Sequence, residues 1–315
     1  MYDTIHLWLN LDFKQIEDFS RVIHAHVKDV KETFDNRTGQ YSYRGKYGKF
    51  DVGVYPNGIS LKGSICKHYL GSNFYTLTRE QTQLAIEQMS QDLQLPIQNA
   101  SVRRIDIAEN FIMQHDEKLY YNYLCKSNHY KRLEQNNGLY FQNGLRQLVF
   151  YGKVHEQKVK GELIPEFYKD KHILRYEMRY RKNIPRQLNK TTVLASDLYE
   201  LSFYEMLVTN WKNEYFNIHK TKEIAINPES LKDVKSFQKQ MELKGLLATF
   251  ENEIQALNFV DQQKMQGAFE NKMQPQRLKE SIKSAFALPN ATYKSDLVDE
   301  LDKKIQSILM VDKEL

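Results

Sequence analysis

The stretch "SVRRIDIAENF", residues 101–111, alternates between polar and apolar side chains in the manner of a β-strand. Successive side chains of a strand point to opposite faces, so Arg104, Asp106 and Asn110 share one face and the isoleucines the other. We therefore predict a strand from a sheet whose apolar face meets the core and whose other face carries unusual polar groups.

A second stretch, "HILRYEMRYRK" at residues 172–182, has the same alternation. Arg175, Glu177 and Arg179 fall on one face of the predicted strand. Two strands of this kind indicate a sheet with a charged face, and the acids on that face need an explanation.

A carboxylate flanked by apolar residues on a central strand is costly unless it pairs with a cation or binds a metal. Asp106 and Glu177, on neighbouring strands, could together hold one Mg²⁺ or Mn²⁺, because hard cations prefer oxygen ligands. The alternative is that both acids form ion pairs with Arg104, Arg175 or Arg179.

The remaining segments predict an α+β fold with a mainly antiparallel sheet. Residues 4–11 alternate as a strand, residues 13–34 have helical spacing, and residues 40–65 predict two or three strands with a turn at Pro56–Gly58. Thr78 followed by Gln81 indicates a capping box that opens a helix to about Leu93. Beyond Pro185 the pattern becomes helical, which divides the chain into residues 1–190 and a helical region, 191–315.

The charge of the chain is concentrated in its middle. The formal net charge is +5, yet residues 101–183 alone hold 16 lysines and arginines against 10 acids. A local excess of positive charge is what a phosphate backbone attracts, although a solvated basic face has the same composition. We therefore expect a nucleic acid as one partner.

Several other classes of protein are disfavoured. Cys66 and Cys125 form no metal-binding or disulfide pattern and fit a reducing cytoplasm. No apolar run approaches the roughly 18 residues of a membrane span, and the N-terminus does not resemble a signal peptide. No phosphate-binding loop for ATP occurs. His24 and His26 have the spacing of the HUH nuclease motif, but they lie in a predicted helix, where such residues diverge.

The stretch "GLYFQNGLRQLVFYGKVHEQ", residues 138–157, holds Tyr140 and Tyr151 close to Arg146 and Lys153. A tyrosine can be a strand residue, a base-stacking platform or a nucleophile, and residue types alone favour the strand residue. Tyr140 comes just before a turn at residues 143–144, so its hydroxyl would reach a cleft more readily than that of Tyr151, inside a strand.

Taken in order, five segments resemble the gene II/X-type rolling-circle replication initiators of phages and plasmids, which are HUH-like nicking proteins. More distantly, they are similar to the rolling-circle Rep proteins of staphylococcal plasmids. The segments span about residues 1–218 and are "YDTIHLWL", "HYLGSNFYTLTREQ", "VRRIDIAENF", "LYFQNGLRQLVFYGKVHE" and "ILRYEMRYRKNI".

The resemblance implies a metal-dependent endonuclease that nicks one DNA strand at an origin, keeps the 5′ end on a tyrosine and can rejoin the ends. It implies Tyr140 as nucleophile, with Tyr151 next and Lys153 beside them. Tyr120, Tyr121, Tyr123 and Tyr130 stay open as further candidates. It implies Asp106, Glu177 and Glu156 as ligands of Mg²⁺ or Mn²⁺. Arg104, Arg146, Arg175 and Arg179 are the expected DNA contacts. The chain departs from the family at Gly152, where an Asp is usual, and at Gln142, where a Gly is usual.

The implied setting is the cytoplasm of a bacterial host, with origin DNA, single-stranded or cruciform, as partner and a host helicase acting after the nick. The helical region would serve DNA binding or oligomerisation, for example as a homodimer. The rival interpretation is a non-enzymatic origin- or operator-binding protein, in which Asp106 and Glu177 only hold arginines. A tyrosine recombinase is disfavoured because its catalytic domain is largely helical.

Overall fold

A ten-stranded antiparallel sheet organises the first two thirds of the chain. The structure, a computed structural model, describes residues 1–224, 233–250, 252–287 and 292–308. It divides into one unit of Met1–His219 together with the segment from Glu300, and a second unit of Lys220–Asp299. The predicted α+β class with a mainly antiparallel sheet followed by helices is confirmed.

The described strands are, in chain order, β1 (Tyr2–Asn10), β2 (Lys28–Asp35), β3 (Gln40–Tyr47), β4 (Phe50–Tyr55), β5 (Gly58–Ser64), β6 (Ser101–Met113), β7 (Leu124–Lys126), β8 (Lys131–Gln135), β9 (Gly138–Gln142), β10 (Arg146–Gly152), β11 (His172–Tyr180), β12 (His219–Lys220), β13 (Glu223–Ile224) and β14 (Thr292–Tyr293). The described helices are α1 (Phe13–His26), α2 (Ile65–Leu70), α3 (Arg79–Leu93), α4 (Glu117–Tyr121), α5 (Lys153–Lys160), α6 (Ile184–Gln187), α7 (Leu201–Phe216), α8 (Val234–Thr249), α9 (Glu253–Met265), α10 (Met273–Phe286) and α11 (Asp296–Ser307).

The strand order of the large sheet is β2-β3-β4-β5-β1-β6-β11-β10-β9-β8. The two charged strands predicted from sequence, β6 and β11, are neighbours near the centre. Their register sets Asp106 opposite Arg179 and Ala108 opposite Glu177. The alternation of the two strands therefore brings both acids to the same region of one sheet face.

The other face of the sheet is the core. Ile5, Ile105 and Leu148 have no exposed surface or nearly none. Tyr176 stacks on Phe150, with 4.5 Å between ring centroids, and its hydroxyl donates to the Trp211 carbonyl of α7. Large apolar burial on this face supplies the main driving force for the fold.

Two irregularities in β1 affect the polar face. Its register against β6 shifts between Tyr2 and Ile5 and again between His6 and Leu7. The first shift places an extra residue of β1 beside Asp106, and the side chain of Asp3 turns to the polar side, where it bonds Arg175. Strand bulges commonly re-aim side chains next to functional sites.

The expected helix over residues 13–34 is wrong in its second half. Helix α1 ends at His26, its C-cap Val27 is extended, and β2 follows at once. The segment after the helix contains β-branched side chains and pairs with β3, and this pairing outweighs the helical spacing of Val27 and Val30. His24 and His26 do lie in a helix, as predicted.

Other local predictions are confirmed. Residues 40–65 contain three strands, with Pro56 and Asn57 in the turn between β4 and β5. Thr78 caps α3 in a capping box with Gln81, and the helix ends at Leu93. Helices also dominate the second unit, where Ala256, Val260 and Ile282 form a small core. The helical prediction for residues 228–232, 251 and 309–310 lies outside the described residues.

Helix α7 belongs to the first unit, and the second unit begins at Lys220. The prediction that 1–190 and 191–315 are separate functional domains stays a prediction. Among the described residues, no helix has the length and apolar character needed to cross a membrane.

Replacing Thr78 by Ala removes one side of the capping box, in which the Thr78 Oγ1 accepts from the Gln81 amide at 3.2 Å. We predict a fall of about 1 kcal/mol in the free energy of unfolding, measured by chemical denaturation. Thr38→Ala, in the exposed turn between β2 and β3, is the control and should change stability by less than about 0.5 kcal/mol. Equal effects of the two substitutions would contradict this account of the helix start.

Candidate active site

A pocket of about 390 Å³ opens on the polar face where β1, β6, β9, β10, β11 and α5 meet. It gathers most of the site residues predicted from sequence. Those that line it are Asp106, Glu177, Glu156, Tyr140, Tyr151, Arg104 and Arg179.

Glu177 is saturated with donors. Its Oε1 accepts from the Tyr151 hydroxyl at 2.6 Å and from Arg175 Nε at 2.7 Å. Its Oε2 accepts from Nε and Nη2 of Arg179, at 2.8 and 2.6 Å. Burial disfavours the charged carboxylate, but Arg179 and Arg175 outweigh burial and hold the pKa of Glu177 well below its usual range. All four acceptor positions of this carboxylate are in use.

Asp106 is less fully bonded. It is 2% exposed and forms a two-point pair with Arg104, at 2.8 and 2.5 Å. Among the residues that the structure describes, these are its hydrogen bonds, and Arg179 Nε lies further away, at 3.8 Å from Oδ2. Burial raises the pKa of Asp106 to about 6, against the opposing effect of Arg104. Asp106 is therefore a pocket carboxylate with acceptor capacity to spare.

Arg175 lies beneath the pocket floor and is 2% exposed. It donates to Asp3 Oδ2 at 2.6 Å, to Glu177, to the Asn73 carbonyl at 3.1 Å and to Asn110 Oδ1 at 3.0 Å. Its guanidinium is thus committed to the protein. Asp3 and Asn73, which also line the pocket, were missed by the sequence analysis, although an acid at the start of an otherwise apolar strand was a usable signal.

Lys153 and Glu156 form a pair on the first turns of α5. The Lys153 side chain has no exposed surface, and its Nζ donates to Glu156 Oε2 at 2.8 Å. Burial, and then the charge of Arg175, lower the pKa of Lys153 to about 8. Burial acts to raise the pKa of Glu156, but the charge and hydrogen bond of Lys153 outweigh burial and lower that pKa to about 2. Glu156 also pairs with Lys160.

The two candidate tyrosines have different surroundings. Tyr151 is 8% exposed and buried against Glu177, and burial raises its pKa well above the usual value. Tyr140 is half-buried, and its hydroxyl donates to Asn137 Oδ1 at 3.2 Å. Tyr140 does precede the turn, but like Tyr151 it is a strand residue: it lies in the middle of β9 and pairs with Val149 of β10. Its ring reaches the pocket because this sheet face is open there.

Arg146 is not brought to the pocket. It alternates with the pocket residues along β10, pairs with Glu214 at 2.6 Å, bonds Gln187 and lies 4.9 Å from the centroid of the Tyr180 ring. Of the four further candidate tyrosines, Tyr120, Tyr121 and Tyr130 are buried and Tyr123 is partly exposed, and none of them lines this pocket. At Gly152, where an Asp is usual in the family, the neighbouring space is taken by Glu117, whose Oε2 lies 3.2 Å from the position of a Cβ.

The donor set limits how a divalent metal would be held. Among the described residues, the group of three ligand atoms within 4.8 Å of one another is Asp116, Glu117 and His172, not the predicted set of Asp106, Glu177 and Glu156. Mg²⁺ is commonly bound by one or two carboxylates plus water and substrate phosphate. Asp106, which accepts only from Arg104 among the described residues, has spare oxygens that fit this mode, whereas Glu177 has none.

The fold and pocket define a class of α+β protein in which an antiparallel sheet presents phenol, carboxylate and guanidinium groups together on an open face. Residues 1–214 match the family model for the N-terminal region of the phage replication-associated protein known as the gene II protein. The chain belongs to this family, which supports a phage protein that initiates rolling-circle DNA replication. No curated protein matches the chain.

The burial of Lys153 gives a pH prediction. Its pKa is about 8 in the folded protein and about 10.4 in an unfolded chain. Between these values the unfolded state binds more protons, so this lysine makes the free energy of unfolding rise with pH. We predict that wild-type stability minus that of Lys153→Met rises from pH 8 to about 10, by up to about 1.4 kcal/mol per pH unit. Lys158→Met, on the exposed side of α5, should show no such trend; a flat difference for Lys153→Met would contradict the assigned burial.

Proposed function

We propose that this replication protein cuts one DNA strand at an origin through a covalent phosphotyrosine, with Tyr140 as the nucleophile. One observation carries the proposal. The half-exposed phenol of Tyr140 lines the same pocket as Asp106, Arg104 and Arg179. A phenol that can meet a phosphate among fixed cations is the minimum that such a reaction needs.

In the proposed step, the Tyr140 oxygen forms a bond to the scissile phosphorus and the bond from phosphorus to the 3′ oxygen breaks. The phenol loses its proton, and the leaving 3′ oxygen gains one to become a free hydroxyl. The reverse attack by a 3′-hydroxyl rejoins the strand without ATP, because the phosphotyrosine keeps the phosphodiester energy. Nicking and rejoining would thus use one site.

Arg104 and Arg179 are the proposed phosphate contacts. Their side chains are 29% and 25% exposed, and Asp106 and Glu177 fix them from below. Guanidinium groups held in place before the substrate arrives cost little reorganisation when charge develops on the phosphate. Arg175 and Glu177, being saturated, position Arg179 instead of touching DNA.

The proposed metal, Mg²⁺ or Mn²⁺, would be held by Asp106 together with the substrate and would polarise the scissile phosphate. Tyr151 is the less suitable nucleophile, because its hydroxyl is bonded to Glu177 and burial opposes its deprotonation. In this proposal the substrate is origin DNA, single-stranded or cruciform. The proposal also includes a host helicase that acts after the nick, a homodimer formed through the helical region, and a relation to the staphylococcal Rep proteins.

One observation favours the rival function of a non-enzymatic DNA-binding protein. Both strand carboxylates are engaged in ion pairs with the arginines of β6 and β11. A pocket built only to hold arginines for binding would have this arrangement too. The two functions differ in whether a covalent adduct forms.

Tyr140→Phe removes the proposed nucleophilic oxygen and little else. We predict that this variant binds origin DNA with wild-type affinity and forms no covalent adduct, whereas Tyr151→Phe retains some. Adducts are trapped on supercoiled DNA carrying the cognate origin, with Mn²⁺, and the modified peptide is located by mass spectrometry. Tyr75→Phe, an exposed tyrosine outside the pocket lining, is the control. A phosphotyrosine elsewhere would overturn the assignment, and no adduct at all would favour the rival.

Asp106→Asn tests the metal. We predict that the Mn²⁺ concentration for half-maximal nicking rises by about 10-fold or more, because a carboxylate ligand is lost and even the loss of a residue that only supports a ligand typically costs about 10- to 100-fold in metal affinity. Circular dichroism checks that the variant keeps its fold, and a binding measurement checks that it still binds origin DNA. Asp170→Asn, an exposed acid, is the control and should leave the metal dependence unchanged. Wild-type metal dependence in Asp106→Asn would remove Asp106 from the metal site.

A further inference from the structure

The half of the polar face formed by β1 to β5 carries two aromatic rings that lie on the sheet. The Trp8 ring covers Gly58: its nearest atom lies 2.8 Å from the position that a Cβ would take there. The Tyr55 ring covers Gly53 in the same way, also at 2.8 Å. The ring centroids are 5.8 Å apart. Both side chains are partly exposed. The two glycines thus leave room for a pair of rings whose outer surfaces meet solvent.

Positive side chains follow the cross-strand rows of this face beside the rings. The strand registers join one cross-strand row from Arg104 through His6, Lys62, Asp51 and Lys46 to Lys28. A second row runs from Trp8 through Ser60, Gly53 and Arg44 to Lys31. Directly paired residues point to the same side of a sheet, so both rows lie on the polar face.

The lysines and arginines of β2 to β5 in these rows are exposed, and the acid among them, Asp51, pairs with Lys46. His6 lies among these cations. Burial, and then the positive charges of Lys62, Arg103 and Arg104, lower its pKa. The first row begins at Arg104, which lines the pocket. A basic strip about 24 Å long, five strand spacings, therefore continues directly from the candidate active site.

We propose that this face is the track for single-stranded DNA that leaves the pocket, with bases stacked on Trp8 and Tyr55 and phosphates on the basic rows. The track deepens the proposed function, on which its link to a cutting site rests. A single strand is favoured over a duplex, since only unpaired bases can offer their faces to aromatic rings. A basic groove with aromatic platforms is the common solution for binding single strands without base readout.

Binding is measured on the Tyr140→Phe protein with oligothymidylate, so that no covalent step contributes. Tyr55→Ala should weaken binding about fivefold or more, while Tyr41→Ala, exposed on the other side of the same strands, should not. Tyr55→Leu, which keeps apolar bulk, should weaken binding as well and covers a failure of the alanine variant to fold. Lys62→Ala should lower the slope of log affinity against log salt by about 0.7, unlike the exposed Lys14→Ala on α1.

Fluorescence gives a second readout, because Trp211 is fully buried and Trp8 is partly exposed. Oligothymidylate should quench the wild-type signal, and Trp8→Phe should abolish the quenching while changing affinity little. Equal quenching in both proteins would overturn the track. The track would also be overturned if duplex DNA or oligouridylate bound more tightly than oligothymidylate and lost affinity to the same extent in Tyr55→Ala. If Tyr55 and Lys62 variants bind normally while the wild type forms an adduct, the track fails and the proposed function stands. If the Tyr55 and Lys62 variants bind weakly and the wild-type protein forms no adduct, the track stands and the nicking proposal fails.

Discussion

The buried guanidinium of Arg175 is the constraint on which the polar face depends. It connects Asp3 of β1, Asn110 of β6, Glu177 of its own strand and the Asn73 carbonyl. Taking these charges out of water is expensive, and it is sustained only because each one meets a partner of opposite sign or a good acceptor. Breaking such a network by removing one member typically costs about 3–5 kcal/mol, since a charge is left uncompensated.

From Arg175 the order is transmitted outward in steps of decreasing burial. Oε1 of Glu177 accepts from Tyr151 and Arg175, and Oε2 accepts two bonds from Arg179 and so fixes Arg179, which is one quarter exposed. Asp106 fixes Arg104 in the same way. Buried carboxylates thus position exposed guanidiniums, and the pocket gains rigid cations without exposing its acids. Replacing a buried ion-pair network by apolar residues of similar volume is often neutral or stabilising, so we ascribe this network to the proposed function of the face and not to stability.

Part of this arrangement could be predicted from the sequence. Alternation along β6 and β11 sufficed to place Asp106 and Glu177 on one face, because the period of a strand is fixed. The face of Arg146 was equally readable, since it alternates with Gln147 and Tyr151, but its charge suggested an exposed role. The end of α1 was not readable, because Val27 and Val30 fit a helix or a strand and the pairing with β3 decided between them. The burial of Lys153 was not readable either, because it involves residues far away in the sequence, such as Phe74, whose ring centroid lies 5.7 Å from the Lys153 Nζ.

The difference between Tyr140 and Tyr151 follows from the same network. Both are strand residues on the polar face, and they lie on neighbouring strands, since β9 pairs directly with β10. Tyr151 stands next to β11 and donates to Glu177, so it completes the shell of the most buried carboxylate. Tyr140 is one strand further from that charge and meets a neutral amide instead. Distance from the buried acid therefore separates a phenol that serves the network from the one that we propose as the nucleophile, and sequence position alone could not make that distinction.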